Sequence, residues 1–326
     1  MQVRRHQGRR MLLILTSEKD LAADFLIVTL IERGLPYVRL NVEEYHRRFA
    51  TFEVSGSGTM RTLMAHDGTV IDLNEIRAVW YRRAIHPHVD AAVPLDQRMF
   101  VAGEERHFWA GLFLSTDVRW VNPIDKVSVG ELKLVQLHLA QDLGFHVPRT
   151  IVTRNVAELR SFIVETGSAI CKPIYHGLLV NLAERSSAFT RRITLKDLDD
   201  EAAISVSPVL FQAEVRRKAD IRVTVVGDAI FAVRIECNDE QMIDWRKPGY
   251  ELIYSTMTLQ DDTAGKCRRM LAAMGLAYGA FDFIEEPSGR LVFLEVNPTG
   301  EWAWLEDKLD LPMRAAFIRL FYGEHA

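Results

Sequence analysis

The sequence predicts a mixed α/β protein with a Rossmann-like first third. The leading observation is an apolar run, MLLILT, followed directly by a segment with helical apolar spacing. Further short apolar runs then alternate with helical segments as far as residue 114, the pattern of β-α units. Near the C-terminus two apolar strands flank a Ser288-Gly289 turn and carry carboxylates at alternating positions, which marks where chemistry should lie.

Residues 11–16 read as the first strand. Residues 20–33 read as a helix, because Leu21, Phe25, Val28, Leu30 and Ile31 recur at roughly helical spacing and Gly34 supplies a stop. Residues 37–40, 51–55 and 78–82 read as strands, and 98–114 as a helix. The turn after the first strand, 17–20, holds no G-x-G-x-x-G, so the Rossmann-like reading is architectural and excludes a dinucleotide site there. After Val121-Asn122-Pro123, a single helix is expected over 128–143, closed by Gly144. A strand entered at Val147-Pro148-Arg149-Thr150 and a helix over 156–166 follow, then strands over 169–173 and 209–215. Residues 221–226 and 229–235 form a hairpin across Gly227-Asp228. The remainder reads as a helix over 263–274, strands over 277–284 and 291–296, and a closing helix over 312–322. The expected domains are an extension at 1–10, an N-terminal domain at 11–120, a central one at 121–208 and a C-terminal one at 209–326.

Composition excludes several function classes. At 326 residues, 48% hydrophobic and 26% charged, the chain has the make-up of an ordinary globular protein with room for two or three cores. A net charge of -4 argues against a nucleic-acid surface. Cys171, Cys237 and Cys267 lie far apart without a CxxC pair, which excludes a zinc knuckle or a disulfide framework and suits a reducing cytoplasm. No apolar stretch approaches the ~20 residues of a membrane span. The basic opening MQVRRHQGRR precedes an apolar run too short for an export signal and reads as a flexible extension. The spacing of His86-Pro87-His88 fits no zinc motif, and these residues, like Trp302 and Trp304, read as loop and packing residues.

In the C-terminal hairpin, taking Ser288-Gly289 as the loop sets Pro287 opposite Arg290 and Asp282 opposite Glu295. Alternation adds Asn297 to that face and turns Phe281, Phe283, Leu294 and Val296 to the other. Like charges directly opposite each other destabilise a strand pair, and a cation reverses that cost. Two carboxylates and an amide form a hard-oxygen set that suits Mg²⁺ held jointly with phosphates.

Asp282, then twelve residues, then Glu295-Val296-Asn297-Pro298, resembles the metal hairpin of ATP-grasp enzymes. The extension EVNPTGEWAWLE resembles the peptide-modifying ligases of microviridin-type peptides, the graspetide synthetases. AVWYRR, LFQAEVRRKADIRVTVVGDAIFA and Asp244-Trp245-Arg246 are similar to that family in order and spacing, so the resemblance covers nearly the whole chain after residue 10. It implies an ATP-grasp fold: a Rossmann-like pre-ATP-grasp domain, a central domain and a C-terminal domain with the metal hairpin.

The resemblance also implies residue roles. Lys172 in CKP and Lys133 in GELKLVQ look like the two lysines that contact the nucleotide phosphates. Gln212, Ala213, Glu214 and Val215 look like the linker whose backbone reads adenine, although the family has Gln-Glu where this chain has Gln212-Ala213-Glu214. Arg222 and Arg234 are implied to stabilise the γ-phosphate and acyl phosphate, and Arg246 is a further candidate for the same role or for substrate contact. The two-residue turn alone puts Arg222 opposite Val233, one position away from Arg234. Glu301 stands where a glutamine is usual in the family. The loop after Lys172 has one glycine, Gly177, and shows no phosphate cradle.

The acidic run Asp197, Asp199, Asp200 and Glu201 reads as a solvated helix start with Thr194 and Asp197 as a capping pair, or as a docking surface for a basic leader peptide. The function implied is ATP-dependent activation of Asp or Glu side chains in a ribosomal precursor peptide, followed by closure of ester or amide rings. The cofactors implied are ATP and Mg²⁺. The partner is the precursor, leader plus acidic core, with no nucleic acid and no membrane, and a homodimer is admitted. A ligase adding a free amino acid to a carboxylate is the alternative within enzymes. A non-catalytic, nucleotide-dependent peptide-binding protein is the alternative outside them.

Overall fold

In the computed structural model, residues 11–64, 68, 70–82, 89–175, 178–180, 185–187, 189–239 and 242–323 are described. The basic opening at 1–10, Arg83, His86-Pro87-His88 and Gly177 lie outside them. Strand β1 (Met11–Thr16) is buried along almost its whole length because it has a parallel neighbour on each side. Helix α1 (Leu21–Glu32) starts on Asp20, whose Oδ1 accepts from the amides of Ala22 and Ala23. It stops at Gly34, which adopts φ 64°. Strand β2 (Tyr37–Asn41) returns beside β1, and β3 (Ala50–Ser55), β4 (Gly58–Met64) and β5 (Val70–Asp72) form an antiparallel sheet of their own. Strand β6 (Ile76–Tyr81), helix α2 (Arg98–Leu114) and β7 (Arg119–Val121) complete a parallel sheet of order β2-β1-β6-β7.

The single helix expected over 128–143 is two helices, α3 (Ile124–Gly130) and α4 (Lys133–Asp142). Gly130 ends α3, and Leu132 leaves the helical region at ψ 101° before α4 begins. Strand β8 (Thr150–Thr153), helix α5 (Val156–Thr166) and β9 (Ala169–Lys172) follow. Next come β10 (Leu178–Val180), β11 (Arg185–Ser187), β12 (Arg191–Ile193), the short α6 (Glu201–Ser205) and β13 (Val209–Ala213). The central sheet has the order β12-β9-β13-β8, with Leu159, Phe162 and Ile163 of α5 packed on Ala169 and Phe211.

The C-terminal part is one antiparallel sheet, β16-β15-β14-β17-β18, made from β14 (Ala219–Val226), β15 (Ala229–Cys237), β16 (Leu252–Met257), β17 (Tyr278–Glu285) and β18 (Leu291–Asn297). Helix α7 (Asp261–Met274) packs Cys267, Met270 and Leu271 against the face bearing Ile221, Val223, Phe281 and Phe283. Helices α8 (Ala303–Leu309) and α9 (Met313–Tyr322) close the chain, and Phe317 packs with Trp302, Val226 and Val233 on the other face. No helix among the described residues is long and apolar enough to cross a membrane.

Two buried amides fix the β17–β18 hairpin to the rest. Asn122 Nδ2 donates to the carbonyls of Tyr278 and Pro298, both at 2.8 Å, while its Oδ1 accepts from the amides of Ala277 and Tyr278. Gln136 Nε2 donates to Val296 O and its Oε1 accepts from Val296 N, so it pairs with edge strand β18 as a neighbouring strand would. The break before Lys133 lets α4 present Gln136 there and Lys133 to the cavity described next.

Candidate active site

The turn of the β17–β18 hairpin is one residue longer than the sequence suggests. Glu286 N donates to Arg290 O at 2.9 Å, leaving Pro287, Ser288 and Gly289 as the loop, with Gly289 at φ 84°. Glu285 then pairs with Leu291 and Phe283 with Phe293. Leu294 is an extra residue, a β-bulge, and beyond it Asp282 pairs with Glu295 and Ala280 with Asn297. The longer turn and the bulge cancel, so the two carboxylates still face each other. Leu294, expected on the far face, lines the cavity beside Ile284 instead, because the bulge interrupts alternation at that residue.

Asp282 and Glu295 line a cavity of about 560 Å³, within the ~300–1,000 Å³ usual for small-molecule pockets. Arg222 Nη1 donates to both Asp282 oxygens at 2.9 Å, and Asn297 Nδ2 donates to Asp282 Oδ2 at 3.2 Å. Arg246 Nη1 donates to Glu295 Oε1 at 3.4 Å and its Nε to Asp244 Oδ1 at 2.8 Å. Lys133 Nζ lies 3.5 Å from Glu295 Oε2 and donates to Pro173 O. Lys172, at the end of β9, lines the same space.

Burial raises the Asp282 carboxyl above its usual range, against the pull of Arg222 and with added push from Glu295. Burial acts on Glu295 in the same direction, but Lys172, Lys133 and Arg246 together hold it below its usual range. Lys172 is lowered to about 8 by burial, with Glu295 opposing the fall and Lys133 adding to it. Lys133, Lys172, Arg217 and Arg246 interleave with Asp220, Asp244, Asp282 and Glu295 around the cavity. Such a lining favours neither a bare cation nor a bare phosphate, and fits the two arriving together. Among the described residues no three His, Cys, Asp or Glu side chains converge as a metal cage. Two carboxylates and an amide therefore leave ligand positions that phosphate oxygens and water would fill, the pattern of Mg²⁺ sites.

The other expected residues divide. Gln212, Ala213 and Val215 line the cavity. Gln212 Nε2 donates to Thr150 Oγ1, and its buried Oε1 has no partner. Glu214 turns away to an ion pair with Arg192. Arg234 does not join Arg222: the regular register sets Ile221 opposite Arg234 and Arg222 opposite Val233, so the arginines occupy opposite sheet faces. Arg234 instead pairs with the buried Glu285. Asp197 accepts from both the amide and the hydroxyl of Thr194 and pairs with Arg191, while Asp200 caps α6 through Ala203 N. Asp199 and Glu201 are exposed. Glu301 pairs with Arg82, beyond the cavity. Trp302 is buried against Phe25 and Phe317, and Trp304 packs on Trp245 and Tyr254.

Asp220, Arg217 and Arg82 went unread in the sequence. Asp220 is buried and lines the cavity, and its Oδ2 lies 3.1 Å from Arg217 Nε without making a hydrogen bond. Burial pushes its carboxyl up to about 7, with Arg217 opposing. The available signal was its place two residues before Arg222 in a strand otherwise almost wholly apolar, which puts both on one face.

The profile of the MvdD pre-ATP grasp domain matches residues 11–128. Among curated proteins, none matches by sequence. Solved structures resemble the chain far beyond that domain. The Chryseobacterium gregarium RiPP-associated ATP-grasp ligase, in complex with ADP and a leader and core peptide, superposes with a TM-score of 0.87 at 25% identity, over 96% of this chain and 96% of that one. Macrocyclase MdnC from Microcystis aeruginosa MRC, bound with precursor peptide MdnA, superposes at 0.83 and 26% identity, over 95% of this chain and 98% of that one. Macrocyclase MdnB from the same organism gives 0.79 and 27%, over 97% and 100%. The likeness spans the sheets that build the cavity, and the fold is ATP-grasp.

Proposed function

We propose that this chain, an ATP-grasp ligase of the family that matures ribosomally made peptides, activates a side-chain carboxylate of such a peptide with ATP and closes an ester or amide ring on it. The observation that carries this reading is the facing pair Asp282 and Glu295 lining a cavity reached by Lys133, Lys172 and Arg246. Adenine takes the apolar end between Ile170, Val215, Ile284 and Leu294, against the linker 212–215. Asp220, between that end and Asp282, offers its unbonded oxygen to the ribose hydroxyls.

Asp282, Glu295 and Asn297 would hold Mg²⁺, which would supply neutralisation of the phosphate charge during transfer. Lys133 and Lys172 hold the phosphates from the opposite side of the cavity, and Arg222 and Arg246 face the γ-phosphate. A peptide carboxylate oxygen attacks the γ-phosphorus, the bond to ADP breaks, and an acyl phosphate forms. A hydroxyl or amine of the same peptide then attacks the acyl carbon and phosphate leaves. The protein's part is positioning and charge neutralisation, which accounts for a site made of lysines, arginines and carboxylates. Asp199 and Glu201, which make no capping bond, are the members of the acidic run left to meet a basic leader.

The test is to incubate the protein with Mg-ATP and a short acidic peptide identified from an open reading frame beside its gene, then read nucleotide products and peptide mass. ADP and the loss of one water per ring are expected. AMP, or a peptide that gains mass as in free-amino-acid ligation, would overturn the reading; peptide binding without ADP would make the protein a non-catalytic binder.

A further inference from the structure

The segment that follows β18 crosses directly over Arg222, and four consecutive carbonyls in it each accept a hydrogen bond from a side chain. Pro298 O accepts from Asn122 Nδ2 at 2.8 Å and Thr299 O from Arg82 Nη1 at 3.0 Å. Gly300 O accepts from Arg82 Nη1 at 3.1 Å and from the Tyr278 hydroxyl at 2.6 Å, and Glu301 O from Arg222 Nη2 at 3.2 Å. Arg82 and Asn122 each follow a strand of the N-terminal sheet, β6 and β7, whereas Arg222 and Tyr278 belong to the C-terminal sheet. The crossing is tight: a Cβ on Gly300 would stand 2.8 Å from both Arg222 Nη2 and Ala280 Cβ.

Arg222 has few holds. Its Nη1 donates to both Asp282 oxygens, its Nη2 donates to Glu301 O, and its buried Nε has no hydrogen-bond partner among the described residues. The hold on Asp282 is shared with whatever else that carboxylate binds. The hold on Glu301 is a main-chain carbonyl, whose place depends on the peptide units just before it. Arg82 is fixed firmly enough to set that place. It is buried, its Nε and Nη2 donate to the Asp20 carboxylate at 3.2 and 3.3 Å, and Nη2 also reaches Glu301 Oε1 at 3.1 Å. Asp20 is in turn fixed as the cap of α1, so Nη1 spans the two successive carbonyls from a rigid base. This is a use of the planar guanidinium fork that a lysine ammonium cannot reproduce.

We propose that Arg82 is a positioning residue for phosphoryl transfer: by holding the carbonyls of Thr299 and Gly300 it sets Glu301 O, and through that carbonyl the direction of the Arg222 guanidinium. This rests on the ligase reading above, in which Arg222 faces the γ-phosphate. Arg82 itself touches no reacting atom. A loosened segment lets Arg222 swing from its line, which weakens a contact made to the transferring group and leaves untouched the linker and lysines that bind the nucleotide. The N-terminal domain thereby takes part in the chemistry without lining the cavity.

The experiment uses the full chain with Mg-ATP and the acidic peptide of the test above, and compares wild type, Arg82→Lys, Arg222→Ala and the double variant. Arg82→Lys keeps a cation beside Asp20 but cannot serve both carbonyls. The kcat for ADP formation is expected to fall by about three- to tenfold, no further than in Arg222→Ala, with the KM for ATP within about twofold of wild type. The double variant should be no slower than Arg222→Ala alone, because Arg82 acts through Arg222. A residue that only supports the fold would multiply the two losses. A multiplicative cycle, or an unchanged kcat in Arg82→Lys, therefore overturns the proposal while leaving the ligase reading intact. Should Arg82→Lys not fold, Tyr278→Phe takes its place, since it removes the other bond to Gly300 O and leaves Asp20 paired. A several-fold lower kcat that disappears against Arg222→Ala then sustains the proposal, and an unchanged kcat or a multiplicative cycle overturns it. If wild type forms no ADP, the ligase reading fails and this inference fails with it.

Discussion

The two hairpins that share the C-terminal sheet obey different register arithmetic. Between β14 and β15 the Gly227-Asp228 turn is two residues long and the ladder runs without interruption, so Arg222 and Arg234 point to opposite faces. Between β17 and β18 the loop has three residues and Leu294 bulges, so Asp282 and Glu295 share a face. Strand parity alone decides which side chains can act together. A loop length matters only in combination with every bulge that follows it.

The largest test breaks the second hairpin without moving it. Glu295→Gln keeps the shape and removes one metal-facing charge, so ADP formation should fall by about a hundredfold and need more Mg²⁺. Titration of ADP release against Mg²⁺ measures this; a fully active Glu295→Gln would remove the metal site from Asp282 and Glu295.

The first hairpin supplies a matched pair. Arg222→Ala should lower ADP formation by about tenfold or more. Arg234→Ala should leave turnover per folded molecule unchanged, yet cost about 1–2 kcal/mol of stability, because buried Glu285 loses one of its two cationic partners among the described residues and keeps Lys218. Denaturant unfolding beside single-turnover rates separates the two. Equal kinetic losses would mean that both arginines reach one face.

The smallest effect belongs to Lys172, which faces the carboxylates from the central sheet. Lowered to about 8 by burial, it is charged below that pH and neutral above it in the free protein. Phosphate favours the charged form, so ADP affinity should be flat below about 8 and weaken as pH rises through that value, by less than about tenfold per pH unit. Calorimetry in buffers of different ionisation enthalpy should show proton uptake on binding only on the alkaline side. Flat affinity across this range would place Lys172 away from the phosphates.

Much of the fold is legible in the sequence where periodicity and stop signals coincide. Helices α1, α2 and α5 have apolar spacing with a cap or a clear terminus, and they emerge within a residue or so of expectation. The α3–α4 break is missed although Gly130 ends α3, because that glycine falls inside an otherwise helical pattern; its role is in packing, where a Cβ would stand 3.1 Å from Pro298 Cγ. Strand β16 and helix α8 are missed because their apolar positions face neighbours supplied by distant segments, such as Trp304 on Tyr254. At the candidate site, the facing carboxylates follow from alternation, although through two offsetting errors. The placement of Arg222, Lys133 and Lys172 beside them came from the family resemblance. Asp220 stayed hidden because its meaning depends on a cavity that three sheet segments close only together.

Asn122 has a consequence for how the chain is made. Its amide bonds Tyr278, 156 positions later in the chain. At the ~5–20 residues per second of synthesis, that partner emerges on the order of 10 seconds or more after Asn122 does. During this interval the N-terminal sheet can assemble, but the amide that will join it to the metal hairpin has only water to bond. The last strands made therefore lock the first domain made, and a ribosome stalled before residue 278 would hold a domain whose docking surface is still open.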